Sequence, residues 1–314
     1  MLISTETASG TNYGNYFERI KAIQAAGFDA FDLTIFPHKV YDLPESFFLR
    51  QKSINEIITE TPEDPDKVMT LEKAKTLREY ADKIGIVCNQ THAPYPTAWP
   101  GDKEYNAFVL QYLELSVEIS GILGAKICVV HPCNDYTPEE NAEMYRKLEK
   151  CARKNNVKIG LENMWNWNYA ENHASAAACS NEENFARHLE LLNKDVFVAC
   201  VDLGHAEMAG LNTSAVRMIE RLGNRVQALH IHDNDLHDDL HAAPYTSKMN
   251  FGEIVAALKH IGYKGDITFE ANGFLGILPK ELYPCGLQYL YQIGNYFRKM
   301  LLTSTMSSDD FSKD

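Results

Sequence analysis

Glu162, Asp202, His230 and Glu270 each close a short apolar run, in V-K-I-G-L-E, V-F-V-A-C-V-D, V-Q-A-L-H and D-I-T-F-E. A fifth run, Ile127 to Val130, ends on His131. Three carboxylates and one imidazole form an oxygen-rich donor set that suits Mn²⁺, Mg²⁺ or Co²⁺ and also admits Zn²⁺. A lone acid at such a position is as often a cap or an ion-pair member. Four on consecutive runs argue for one shared divalent cation. In His230-Ile-His232 the period of two puts both rings on one face. His230 ends its run at the depth of Glu162 and Glu270 and is assigned as the ligand; His232 is placed further out, supporting the ligands or touching substrate. His92 in T-H-A-P-Y-P, His131, His205 three residues after Asp202, and Asp239-Leu-His241 are expected on the same rim, as substrate contacts or additional metal ligands. Each of these histidines, taken alone, equally suits a structural hydrogen bond.

The elements that must hold these groups follow from the runs themselves. Short apolar stretches read as strands buried on both faces, as in a parallel sheet covered by helices. Three earlier candidates, Met1 to Ser4, Ala30 to Phe36 and Ile86 to His92, bring the strands to eight. Amphipathic stretches near 15–26, 70–83, 104–121, 138–155, 182–193, 213–222, 251–261 and 281–301 alternate with them. Eightfold alternation predicts a (β/α)8 TIM barrel, whose active site is built at the carboxyl ends of the strands. Gly27, Gly85, Gly124 and Gly262 stand where helices should end, and Thr137-Pro-Glu-Glu140 where one should start. One domain is expected over 1–302, with a polar, disordered tail over 303–314. Residues 37–68, with four prolines, form a long insertion expected to act as a lid, a rim or a contact between subunits.

Composition narrows the class. The chain has 314 residues, 45% of them hydrophobic, and a net charge of −13, which argues against a nucleic-acid partner. The N-terminus lacks the basic region of a signal peptide, and no apolar stretch reaches the ~20 residues needed to span a bilayer. Seven cysteines without CxxC spacing suit a reducing, cytoplasmic setting. Cys88, Cys128 and Cys200 read as inert buried thiols, and Cys133, just past His131, as the one candidate site thiol. Trp99, Trp165, Trp167 and Tyr95 read either as platforms for sugar C–H faces or as packing.

The set His92 in THAPYP, His131 in VVHP, Glu162 in GLEN, Asp202 and His205 in VDLGH and His230 in HIHD resembles the xylose-isomerase-like barrel superfamily. The later stretch D-L-H-A-A-P-Y…N-F-G-E-I…G-Y-K-G…F-E270 continues the likeness, which spans residues 1 to about 300. The resemblance implies a metal-dependent sugar or sugar-phosphate isomerase or epimerase, a homo-oligomer being compatible. It implies Glu162, Asp202, His230 and Glu270 as metal ligands, Glu162 and Glu270 as the proton-transferring pair, and His205 as holding a substrate oxygen.

Two positions depart from the ketose epimerases of that group: Asn168 stands where many carry a substrate-binding glutamate, and Asp239-Leu-His241 where they place an arginine. The superfamily also holds endonuclease IV-type enzymes with nine ligands around three zinc ions. Counterparts of all nine are present: His92, His131, Glu162, Asp202, His205, His230, Asp239, His241 and Glu270. A multi-zinc phosphodiester hydrolase is therefore the alternative. The acidic rim segments Asn234-Asp-Leu-His-Asp-Asp, Tyr41-Asp-Leu-Pro-Glu and Thr61-Pro-Glu-Asp-Pro-Asp argue against it, because they would repel phosphate.

Overall fold

A computed structural model of the chain describes residues 1–10, 13–35 and 69–303. The insertion over 37–68 and the tail beyond Thr303 lie outside the described residues. In chain order the strands are β1 (Ile3–Glu6), β2 (Ala30–Thr34), β3 (Val87–His92), β4 (Ile127–Val130), β5 (Lys158–Glu162), β6 (Asn166–Asn168), β7 (His173–Ser175), β8 (Phe197–Asp202), β9 (Val226–His230) and β10 (Ile267–Phe269). Eight of them form one sheet in the order β10-β1-β2-β3-β4-β5-β8-β9, every pairing parallel. The sheet closes where the Ile231 N–H donates to the Thr268 carbonyl at 2.9 Å and the Glu270 N–H to the Ile231 carbonyl at 3.1 Å. The fold is a TIM barrel, as the alternation predicts.

Sequence chemistry explains where the elements stop. Thr137 caps the helix Pro138–Asn155 in a capping box with Glu140, and proline occupies its first turn. Gly85 and Gly124 end Leu71–Ile84 and Lys103–Leu123 at φ 77°, a left-handed conformation that costs glycine nothing and other residues about 1–2 kcal/mol. The main core, with Phe31, Leu77, Val117, Tyr145, Phe197 and Phe297, fills the layer between strands and helices. A smaller cluster of Ile127, Val129, Val198, Cys200 and Ala228 packs against itself beside Gly160. A Cβ on Gly160 would approach Ile127 to 3.1 Å, so the absent side chain leaves room for that packing.

The first strand shifts at both ends. It runs Ile3–Glu6 instead of Met1–Ser4, because Ser4, Thr5 and Glu6 are polar yet wholly or almost wholly buried. The antiparallel pair β6–β7 and the four-residue helices Leu203–Ala206 and Asn272–Leu275 decorate the carboxyl end of the barrel. No helix among the described residues is long and apolar enough to cross a membrane.

Candidate metal centre

Glu162, at the end of β5, is 1% exposed, and its Oε2 lies 3.1 Å from His131 Nε2 and 3.1 Å from His230 Nδ1. His230 Nδ1 lies equally close to Glu270 Oε2, so the two glutamates share one imidazole. Behind them, His230 Nε2 is 3.6 Å from Asp32 Oδ2. His92 Nε2 sits 2.8 Å from His131 Nε2, so only one of that pair carries the proton between them. Asp202 ends β8, accepts the His205 N–H at 2.7 Å as cap of the short helix, and lies 3.0 Å and 3.2 Å through its two oxygens from His232 Nε2.

Asn163, next to Glu162, clips two strand ends together. Its amide donates to the Asp202 carbonyl at 2.9 Å and its oxygen accepts the Asp202 N–H at 2.8 Å. Gly204 permits the rest, since a Cβ there would run into the His232 ring. The loop after β9 is held by Asp233, which accepts the N–H groups of Ser247 and Met249, and by Asn234, which donates to the Gly204 carbonyl. That loop presents Asp239 and His241.

His205 Nδ1 is 2.9 Å from the Asn163 carbonyl, and His241 Nδ1 is 2.7 Å from the Glu270 carbonyl. Each Nδ1 must donate, because a carbonyl only accepts. In the neutral tautomer both Nε2 lone pairs then face Asp239 Oδ2, each at 3.1 Å. Two lone pairs and a carboxylate oxygen meet stably only around a cation: protons on the rings, or a metal. Histidines oriented by main-chain carbonyls are the usual support of metal ligands.

The electrostatics make the same demand. Among the described residues, the ion-pair partners of Glu162, Asp202, Asp239 and Glu270 are all histidines. Burial acts to raise the Glu162 pKa, but His230 and His131 outweigh it and hold the group well below the usual carboxylate range. Asp239 is held down in the same way by His205 and His241, against its burial. Burial acts to lower the His241 pKa, yet Asp239 and Glu270 push it up to about 10. Glu270 Oε2 and Asp239 Oδ1 are buried carboxylate oxygens with no hydrogen-bond donor. Buried carboxylates without lysine or arginine fit a divalent cation by charge and by donor type.

All ten rim residues expected from the sequence fall into three such groups. Glu162, Asp202, His230 and Glu270 offer ligand atoms within 4.8 Å of one another, as do His92, His131 and Glu162, and as do His205, His232, Asp239 and His241. Residues 20–293 match the family described as Xylose isomerase-like TIM barrel. The chain belongs to that family. The uncharacterized protein MJ1311 of Methanocaldococcus jannaschii is 26% identical over 209 residues, covering 62% of this chain and 68% of that protein. Among solved structures, a D-tagatose 3-epimerase-like protein superposes with a TM-score of 0.69 at 19% identity, covering 96% of this chain and 98% of its own. The E. coli 3-keto-D-glucoside 4-epimerase YcjR superposes with a TM-score of 0.64 at 16% identity, covering 93% and 99%. At these identities the structural likeness shows the fold; the first neighbour is described as epimerase-like and the second as an epimerase.

Around this family's barrel mouth, Trp165 lies with its ring centroid 6.4 Å from that of His205, and Tyr95 lies 5.0 Å from His131. Trp167 packs edge-on to Trp165, whereas Trp99 packs against the main core. Asn168 is occupied locally, accepting the Ala170 and Glu171 N–H groups in the β6–β7 turn. Cys133 is not a site thiol: it is buried with Sγ on the Ala98 carbonyl, and burial pushes its pKa up. Glu6 and Asp32, on β1 and β2, were not legible as site neighbours, yet both are buried with an unpartnered carboxyl oxygen. The available signal was a strand-end acid in I-S-T-E and an acid inside A-F-D-L-T.

Proposed function

We propose that the chain is a divalent-metal-dependent isomerase or epimerase of a sugar or sugar phosphate. The reading rests chiefly on Glu162 and Glu270 meeting 3.1 Å from the same imidazole nitrogen inside a carboxylate cluster that only a cation completes. Family membership and the epimerase neighbours support it. Glu162, Asp202, His230 and Glu270 would hold Mn²⁺, Mg²⁺, Co²⁺ or Zn²⁺, which when bound supplies Lewis acidity toward a substrate carbonyl. One of the two glutamates takes the proton from the carbon beside that carbonyl, and the other returns it. His205, its Nδ1 tied to the Asn163 carbonyl, offers Nε2 to a substrate oxygen. Trp165 beside His205 gives the sugar an apolar face to lie on. All seven cysteines are free, which fits a reducing compartment such as the cytoplasm.

The test is incubation of free and phosphorylated ketoses with each metal in deuterated water. Metal-stimulated conversion should place solvent deuterium at one carbon, and Glu162→Gln or Glu270→Gln should slow it by about 10²–10⁴. A multi-zinc phosphodiester hydrolase is the second reading, favoured by the separate His205–Asp239–His241 and His92–His131–Glu162 groups. The exposed acids Asp135, Glu171 and Asp238 oppose it, since they would repel a nucleic-acid backbone. Two or three zinc ions per chain together with cleavage of abasic DNA would reverse the ranking.

A further inference from the structure

The opposite end of the barrel, where the strands begin, holds a bowl of about 730 Å³. Its charge is opposite to that of the molecule. In a chain of net charge −13, Lys126, Arg153, Lys158 and Lys264 line it against two carboxylates, Asp195 and Asp266. Asp266 is engaged, its Oδ1 accepting the Leu2 N–H at 2.7 Å. Arg153 is paired with Glu149 on its own helix. Among the described residues, Lys126, Lys158 and Lys264 have no carboxylate partner; Lys158 Nζ donates only to Gln227 Oε1, at 2.8 Å.

The floor of the bowl is polar but closed. Asn89 lines the same bowl, is 8% exposed, and donates through Nδ2 to Thr268 Oγ1 at 3.1 Å, while its Oδ1 has no donor. That oxygen has almost no accessible surface, so recognition in the bowl falls to the lysines and to Gln227.

From this combination we propose that the bowl is a binding site for a small phosphate monoester, remote from the metal end. Three ammonium groups, none paired directly to a carboxylate among the described residues and together outnumbering Asp195 and Asp266, act as point charges for a phosphate dianion. The Gln227 amide, whose oxygen accepts from Lys158, offers its N–H groups to a hydroxyl on the organic part. The volume takes a ligand well beyond the size of inorganic phosphate.

Calorimetric titration of the full chain with glucose 6-phosphate, glucose and inorganic phosphate tests this. Saturable binding of glucose 6-phosphate, absent for glucose and weaker for inorganic phosphate, is expected. The double variant Lys126→Gln, Lys264→Gln should weaken it about tenfold or more. Both lysines are exposed, so the thermal midpoint should stay in place and report that the fold is intact. Glu162→Gln at the other end should leave the binding unchanged. No saturation at millimolar ligand, or binding that survives the lysine changes and disappears in Glu162→Gln, overturns the proposal. Equal affinity for inorganic phosphate overturns the ester assignment.

Discussion

His230 and His232 show how far a single imidazole position decides the chemistry. His230 reaches Glu162 and Glu270 with one nitrogen and faces Asp32 with the other, the carboxylate–histidine support that tunes a metal ligand. His232 is just as buried and closer to Asp202 than a peripheral position would allow. On the proposed ligand set, His230→Ala should lose its metal by elemental analysis. Full metal content there, with loss in His232→Ala, would move the ligand role to His232. Glu6 yields a prediction of a different kind. Burial pushes its pKa up to about 7 from an ordinary 4.5, with Glu270 and Asp32 adding to the rise and the Ser9 N–H opposing it. The folded chain therefore holds this proton where the unfolded chain has released it, and stability falls as pH rises from 4.5 toward 7. At 1.36 kcal/mol per unit the loss approaches about 3 kcal/mol above neutrality. Glu6→Gln keeps an acceptor for Ser9 and removes the titration. Denaturant unfolding of this variant should show a flatter pH profile and higher stability at pH 8; an unchanged profile would exclude Glu6 as its source.

Elements were legible wherever burial is apolar. Ile127–Val130 and Phe197–Asp202 announced themselves because a parallel strand covered on both sides has no polar alternation to disguise it. β1 was misplaced for the reverse reason, its last residues being polar and buried, which no hydrophobic pattern reports. The β6–β7 pair has three-residue strands, too short for periodicity, so the turn chemistry of Asn168 passed unread. Of the site, the strand-end ligands were visible as residue types, but their grouping was not. That grouping depends on tertiary clips such as Asn163 on Asp202. Asn163→Ala strands the Asp202 N–H and carbonyl without partners and should destabilise the chain by about 2 kcal/mol. It should also weaken metal affinity, because the β5 and β8 ends lose their register. Loss of stability with unaltered metal affinity, read by denaturant melts and a competitive chelator titration, would show the clip to be purely structural.

At the scale of the whole molecule, the barrel gathers carboxylates from several strand ends at one mouth, and something positive must balance them. Without metal, that role falls to protonated histidines. His241 is pushed up to about 10 by Asp239 and Glu270 against its burial, while an unfolded histidine titrates near 6.5. Its contribution to stability is fully present below pH 6.5 and is lost as pH rises through about 10. His205 and His230 are raised too, Asp202 and Asp239 acting on the first, and Cys200, Glu162 and Glu270 on the second, each against burial. The metal-free chain should therefore lose stability steadily on the alkaline side. A divalent ion replaces those protons, so its binding releases them and its stabilisation grows with pH. At a thousandfold excess over the dissociation constant the gain is about 4 kcal/mol. Thermal melts with and without chelator at pH 6 and pH 9 should give a larger separation at pH 9, and calorimetry in buffers of differing ionisation enthalpy should register proton release. Equal separations with no proton release would mean that neither the histidines nor the carboxylates carry those protons in the metal-free chain.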